Sequence, residues 1–140
     1  MCMALFTWNP HYALGVPQID GEHTRLFELT DELHGALAQG LSLDLVRNRL
    51  SALIDHARAH FVHEEQLMLR HAYPHFEQHK AQHDELIRKA LEFQRDVAAQ
   101  RIVLSAGMLQ FLKDWLTVHI RESDRLVAEH LQSEIAATQV

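Results

Sequence analysis

Apolar and ligand-type residues alternate at three- and four-residue spacings from Leu43 to Leu67 without a slip. The stripe consists of Leu43, Val46, Leu50, Leu53, Ala57, His60, Glu64 and Leu67. A β-strand would repeat every two residues, so this period predicts a helix of about seven turns with one face turned inward. A histidine and a glutamate occupy positions on that face which leucines take elsewhere, so the buried surface of this helix is expected to carry chemistry.

Three other segments show the same helical period. The first, roughly residues 19–38, has the stripe Ile19, His23, Leu26, Thr30, Leu33 and Leu37. The next, roughly residues 75–99, has the stripe Phe76, His79, His83, Leu86, Ala90, Phe93 and Val97. The last has Met108, Leu112, Trp115 and His119 on one face and stays compatible with a helix to Ile135. The sequence therefore predicts four amphipathic helices, each with at least one inward histidine.

The residues between these segments are typical of helix ends. Asp20 and Ser42 are predicted to cap the starts of the first and second helices, and Gly40 to close the first. Pro74 disfavours helix at Tyr73 and is well placed near the start of a new helix. The second and third helices are therefore predicted to be separate elements joined by a short turn.

Residues 1–17 contain two prolines, a glycine and no helical period. They predict an extended arm whose Phe6, Trp8 and Tyr12 pack across helix ends. The chain has 140 residues, of which 47% are hydrophobic, and this is enough for one core. We therefore predict a single domain spanning 1–140 with an all-α fold: an antiparallel up-down-up-down four-helix bundle with an extended N-terminal arm and a helical C-terminal tail.

Charge and cysteine content exclude several classes of protein. The formal net charge is −6, and lysines and arginines are scattered among acids, so neither nucleic acid nor a membrane surface is an expected partner. Cys2 is the only cysteine, which excludes an internal disulfide and thiolate metal sites and fits a reducing compartment. No apolar run approaches the about 20 residues needed to cross a bilayer. The expected location is cytoplasmic.

Histidine is over-represented, with twelve in the chain, and imidazole is the commonest metal-binding side chain. Residues four apart on a helix lie on the same side, so His60 with Glu64 and His79 with His83 can each converge on one ion. A buried, unpaired carboxylate at Glu64 would be costly, so this position implies a counter-charge. Imidazole and carboxylate ligands suit iron, zinc, copper or manganese, and the pattern predicts half of a dinuclear site.

A dinuclear site would need a second carboxylate, for which the fourth helix offers Asp114, Glu122 and Asp124. In a strict α-helix, Asp124 lies about 140° around the axis from His119. Helical geometry therefore does not select it, and spacing alone leaves the three candidates open.

Four short motifs, spread over nearly the whole chain, combine these histidines with carboxylates. They are IDGEH at 19–23, HFVHEE at 60–65, YPHFEQHKAQH at 73–83 and HIRESD at 119–124. Together they resemble the hemerythrin family, most closely its single-domain bacterial members, and all seven ligand positions of the family are filled. The resemblance implies two non-haem iron ions bridged by two carboxylates and an oxo or hydroxo group.

The resemblance also implies how the ligands are divided. One iron would have three histidines and the other two, so that the second keeps an open position. The three are His79, His83 and His119, and the two are His23 and His60. Glu64 and Asp124 would bridge the irons. If Asp124 does bridge, the helix is expected to be overwound, bulged or broken between residues 119 and 124.

Apolar residues beside the ligands match the positions that line the family's dioxygen pocket. They are Leu26, Phe61, Leu116 and Ile120. We expect them both to pack the core and to keep water from the open iron position. Val127 stands three residues after Asp124, where many relatives carry an aromatic hydroxyl, so an outer hydrogen bond from this position is not expected.

The remaining histidines are expected not to bind iron, because they lie off the inward stripes or at their edges. They are His11, His34, His56, His63, His71, His75 and His130. Trp115 is expected to pack in the core. A bundle that was merely rich in histidine would leave the inward polar groups without partners, which folded proteins avoid. A metal site is therefore the preferred interpretation.

The expected function is reversible dioxygen binding, for carriage, storage or delivery, without enzymatic activity. Two alternatives stay open. A di-iron enzyme that reduces peroxide or nitric oxide is compatible with the same ligands. An oxygen or redox sensor or interaction module would need a separate partner, because the chain has no room for an output domain. Dioxygen is the expected ligand, and a protein acceptor would be a further, unidentified partner.

Overall fold

The computed structural model describes residues 12–40, 42–100 and 105–138, and over these ranges the chain is helical without a strand. The α-helices are α1 (Pro17–Ala38), α2 (Leu43–Arg70), α3 (Phe76–Ala98), α4 (Ser105–Val118) and α5 (Arg125–Thr138). A six-residue π-helix, His119–Asp124, joins the last two without a break. The stretch from 105 to 138 is therefore one long rod, and with α1, α2 and α3 it makes four.

The four rods surround one core. Helix α1 packs on α2, α2 on α3, and α3 on α4, and α4 returns to α1. Short connections make successive helices antiparallel. Side chains of all four rods fill the centre, among them the fully buried Leu33, Leu50, Phe93 and Ile120. The predicted all-α up-down four-helix bundle is confirmed, while the extent of the domain stays a prediction.

The start of α1 differs from the prediction. The helix begins at Pro17 after Val16, and the N-cap makes no side-chain hydrogen bond. Asp20 is not the cap, because it lies inside the helix and its carboxylate accepts hydrogen bonds from the backbone N–H groups of Leu14 and Gly15, at 2.8 and 3.2 Å. The carboxylate thus ties the incoming chain to α1 and leaves the start of the helix to the fixed φ of proline.

The helix ends predicted at Ser42 and Gly40 agree with the structure. Ser42 caps α2, since its Oγ accepts from the N–H of Leu45 at 3.3 Å, and Gly40 follows α1 with a φ of +62°. Helix α2 ends before the chain reaches Pro74, because Ala72 adopts the left-handed conformation with a φ of +52°. The N–H of Tyr73 then donates to the carbonyl of Met68 at 2.9 Å, which closes the last turn.

The N-terminal arm is described only from Tyr12 onward. Tyr12 packs edge-on against Phe27 at a ring separation of 5.0 Å, as an arm packed on the bundle would. The contacts predicted for Phe6 and Trp8 lie outside the described residues. None of the described helices combines the length and the apolar character needed to span a bilayer.

Candidate metal centre

The buried polar residues of this bundle are concentrated at one place. Among the described residues, those that are buried and polar or charged are Thr30 and the seven predicted ligands: His23, His60, Glu64, His79, His83, His119 and Asp124. Thr30 is satisfied within its own helix, because its hydroxyl donates to the Leu26 carbonyl at 2.8 Å. The other seven come from all four rods and are each at most 5% exposed.

The seven side chains form two overlapping groups, and within each group one ligand atom per residue lies within 4.8 Å of all the others. The three-histidine group consists of His79, His83 and His119 with Glu64 and Asp124. The two-histidine group consists of His23 and His60 with the same two carboxylates. The division of the histidines that the family resemblance implies therefore coincides with their grouping in space.

Each shared carboxylate presents one oxygen to each group. Glu64 Oε1 lies 2.5 Å from His79 Nε2 and 3.3 Å from His83 Nε2, whereas its Oε2 lies 3.3 Å from His60 Nε2. Asp124 Oδ1 lies 3.0 Å from the Nε2 atoms of both His79 and His119. Its other oxygen, Oδ2, lies 3.0 Å from His23 Nε2. The carboxylates therefore stand between the two groups.

All five imidazoles direct Nε2 inward, and three of them donate outward through Nδ1. His60 donates to Glu22 and His83 to Glu65, both at 2.9 Å. His119 donates at 2.8 Å to Gln82 Oε1, which also accepts from Ser123. Such outer partners fix the orientation and tautomer of a histidine and leave its other nitrogen free to bind a metal.

The π-helix explains how Asp124 reaches the site. Its wider turns replace i→i+4 hydrogen bonds with i→i+5 bonds, so residues five apart come closer to the same side of the helix. His119 and Asp124 are its first and last residues, and both are buried. Of the three distortions expected between residues 119 and 124, the structure contains a bulge.

The electrostatics of the site follow from two carboxylates enclosed by imidazoles. Burial raises the pKa of Glu64 and so does Asp124, but hydrogen bonds from histidines outweigh both and lower this pKa to about 2. Burial also opposes ionisation of Asp124, yet the surrounding histidines hold its pKa well below the ordinary value. Burial lowers the pKa of His60 and of His79, but carboxylate partners raise them to about 10 and about 9. The carboxylates thus draw positive charge into the centre.

A metal pair fits the atoms that protein groups leave unsatisfied. Both nitrogens of His23, Oε2 of Glu64 and both oxygens of Asp124 are buried and have no hydrogen-bond partner in acceptable geometry. Folded proteins rarely leave such atoms unpaired. Five imidazoles and two carboxylates are a donor set that suits transition metals such as iron. The residues present are therefore able to hold the implied ions.

The predicted pocket residues lie in the main core next to the centre. Leu26, Phe61, Leu116 and Ile120 are each at most 4% exposed and belong to one hydrophobic cluster. The Phe61 ring stacks on His83 with centroids 4.0 Å apart and planes at 7°. Trp115, predicted as core packing, is only partly buried and also stacks on the predicted ligand His119, with ring centroids 4.4 Å apart and planes at 17°.

Val127 lines a small cavity beside the shared carboxylates. The cavity has a volume of about 10 Å³, and Glu64 and Asp124 form part of its wall together with apolar residues that include Leu131. A volume of this size corresponds to roughly one water molecule. The aliphatic side chain of Val127 therefore shares the wall of this cavity with both carboxylates.

Histidines outside the ligand set make contacts of their own. His56 and His63 both bond to Glu22, at 3.2 Å through the backbone carbonyl and 2.9 Å through the carboxylate. His71 pairs with Glu134 at 2.6 Å, and His130 donates to the His71 carbonyl at 2.7 Å. The remaining two described histidines are a partly buried His34 and an exposed His75, and His11 lies outside the described residues.

Sequence reasoning missed the outer partners Glu22, Glu65 and Gln82. A signal was present, because each stands directly beside a predicted ligand in the chain. Neighbouring residues on a helix are rotated by about 100°, so a side chain beside one ligand can reach the outer nitrogen of a ligand on the next helix. Burial supports this placement, since Glu22 is 23% exposed and Glu65 is 18% exposed.

A helical bundle with five histidines and two carboxylates enclosed in its core belongs to the class of cation-binding four-helix proteins. Comparison with known proteins makes the class more specific. Residues 14–131 match the family model described as the Hemerythrin HHE cation binding domain. The chain therefore belongs to the hemerythrin family.

Individual relatives match over most of their length. The chain is 33% identical over 125 residues to the bacteriohemerythrin of Methylococcus capsulatus, covering 89% of this chain and 95% of the relative. It is 29% identical over 133 residues to the bacteriohemerythrin of Stenotrophomonas maltophilia, covering 95% and 86%. The crystal structure of a wild-type hemerythrin matches with a TM-score of 0.85 at 32% identity, covering 91% of this chain and 98% of that one.

Proposed function

We propose that this protein binds dioxygen reversibly, for carriage, storage or delivery, at two iron ions held by the seven buried ligands. One observation carries the proposal: the ligands divide into a three-histidine and a two-histidine group that share both carboxylates. An ion in the two-histidine group would have fewer protein donors and therefore room for an external ligand. A bound ferrous pair supplies the two electrons that dioxygen binding requires.

We propose further that Glu64 and Asp124 bridge the two ions, together with an oxo or hydroxo group. The support is geometric, because each carboxylate turns one oxygen toward each histidine group. It is also electrostatic. Two buried carboxylates repel each other, and Asp124 raises the pKa of Glu64 for this reason, so cations between them would relieve a real cost.

The apolar surround supports binding over turnover. Leu26, Phe61, Leu116 and Ile120 bring only hydrocarbon surface to the core around the ligands. Exclusion of water limits the supply of protons and the side reactions that protons promote. We therefore propose a carrier or store and no enzymatic activity. The names of the bacteriohemerythrin relatives support the same assignment.

Cycling between oxygen and vacuum tests the proposal. The iron-loaded protein is reduced without air, then exposed to oxygen and returned to vacuum while its visible absorption is recorded. A charge-transfer band should appear with oxygen, disappear under vacuum and return over repeated cycles. His79→Ala should remove the band, whereas Asp55→Asn on the exposed face of α2 should keep it.

Two results would contradict the proposal. Oxidation that cannot be reversed in the first cycle would exclude a carrier. Sustained consumption of peroxide or nitric oxide in the presence of a reductant would instead favour a di-iron enzyme.

A further inference from the structure

The Glu22 carboxylate on α1 divides its two oxygens between two histidines of α2. Its Oε1 accepts from His60 Nδ1 and its Oε2 accepts from His63 Nδ1, both at 2.9 Å. The backbone carbonyl of Glu22 accepts from His56 Nε2 at 3.2 Å. One residue of α1 is therefore bonded to histidines on three successive turns of α2.

This arrangement connects a buried ligand to the surface. His60 is 1% exposed, whereas Glu22 is 23% and His63 is 29% exposed. Because Nδ1 of His60 donates outward to Glu22, its Nε2 faces the centre, 3.3 Å from Glu64. The orientation of the His60 ring thus depends on a carboxylate that is itself held by His63.

The two histidine groups differ in the number of such outer bonds. In the three-histidine group, His83 donates to Glu65 and His119 donates to Gln82. In the two-histidine group, Nδ1 of His23 is buried without a hydrogen-bond partner, so the bond from His60 to Glu22 stands alone. Loss of one outer partner should therefore affect the two-histidine group more.

We propose that Glu22 is the positioning residue of the two-histidine group: it holds the His60 ring with Nε2 toward the shared carboxylates, and His63 holds Glu22 in place. The inference rests on the metal site of the proposed function and adds to it a residue that acts through His60 without touching the metal. Removal of an outer partner of a metal-bound histidine typically weakens metal binding about 10- to 100-fold.

Release of iron from the loaded protein into an excess of a ferrous chelator, without air, tests this role. Wild-type protein should release its two ions in two phases. Glu22→Ala should speed one phase about 10- to 100-fold and leave the other unchanged. The matched variant Glu65→Ala should speed the other phase by a smaller factor, because Gln82 still holds His119.

A double-mutant cycle separates positioning from general destabilisation. In a His60→Ala background, Glu22→Ala should change neither the iron content nor the remaining phase, because the residue through which it acts is absent. Additive effects of the two substitutions would overturn the inference. Glu22→Gln should release iron at an intermediate rate, since an amide oxygen can still accept from His60.

Helical circular dichroism identifies any variant that does not fold. Should Glu22→Ala lose its helices, Glu22→Gln and His63→Ala decide the question in the same assay: faster release in one phase supports the inference, and unchanged release overturns it. A wild-type chain that holds no iron would contradict the proposed function and the inference together. Unchanged release from a folded Glu22→Ala variant would contradict the inference alone.

Discussion

The three-histidine and two-histidine groups share their carboxylates but differ in how their imidazoles are held. In the three-histidine group, the rings of Phe61 and Trp115 lie flat on His83 and His119. Both of these histidines also have an outer hydrogen-bond acceptor. Each of these two imidazole rings is therefore held on its face by a stacked aromatic ring and at its edge by a hydrogen bond from Nδ1.

The two-histidine group is held by fewer contacts. His23 and His60 pack edge-on against each other at 4.8 Å, and only the second has an outer acceptor, Glu22. Under the proposed function, the three-histidine group would hold its ion more firmly. The two-histidine group, which has fewer donors and fewer contacts on its rings, would leave room for an external ligand.

Substitution of a shared carboxylate should affect both groups at once and have the largest effect. Glu64→Gln keeps the size of the side chain but replaces a carboxylate that both groups share by a neutral amide, so the variant should retain almost no iron. The measurement is iron per chain after purification. Asp55→Asn, an exposed change on the same helix, should keep the wild-type iron content. Retention of both irons in Glu64→Gln would show that the carboxylate is not shared.

Substitution of a histidine in one group should separate the groups. His23→Ala removes one of two imidazoles and leaves the three-histidine group complete, so it should retain about one iron per chain and no oxygen-dependent band. The same analysis of His79→Ala should show reduced iron and no band. The proposed division fails if His23→Ala still contains two irons.

Loss of an outer partner in the three-histidine group should have a weaker effect than the change at Glu22. Gln82→Ala removes the acceptor for His119 Nδ1, but Trp115 still stacks on that ring. Iron release should therefore accelerate less than about tenfold. Equal acceleration by Gln82→Ala and Glu22→Ala would show that the two groups are held equally well.

The smallest change in iron content is expected from Leu116→Ala. This substitution should leave both ions bound while the oxygen-dependent band decays faster, because water gains access to the core. The free energy of unfolding should fall by about 2–5 kcal/mol. Leu50→Ala, at a fully buried leucine of α2 in the same hydrophobic cluster, is the control, since it should cost similar stability without a faster decay. If the oxygen-dependent band decays equally fast in the two variants, Leu116 has no special role in keeping water from the site.

Six of the seven residues in the site could be found from helical period alone, because His60 and its equivalents stand on stripes that the core must bury. Asp124 could not be found in this way, because the period assumes a regular α-helix. The π-helix at His119–Asp124 changes the rotation per residue around the helix axis. Family resemblance supplied this residue, and the structure places it with the others. Whether the seven bind iron stays a prediction.

The hydrogen-bond acceptors of the outer histidine nitrogens depend on how neighbouring helices pack. The helical period of the sequence does not encode that packing. Glu22 and His60 lie 38 residues apart in the chain and meet only because α1 and α2 are neighbours in this register. The start of α1 was missed for a related reason. Asp20 is a good cap by residue type, but its carboxylate is satisfied by the amides of Leu14 and Gly15 in the arm.

A Mössbauer spectrum of the oxygen-exposed, iron-loaded protein tests the central claim most directly, because an external ligand on one ion only should separate the two iron environments. The two ions should give two distinct doublets of equal area, and chemical analysis should find two irons per chain. A single doublet, or one iron per chain, would contradict the account of two histidine groups that share Glu64 and Asp124.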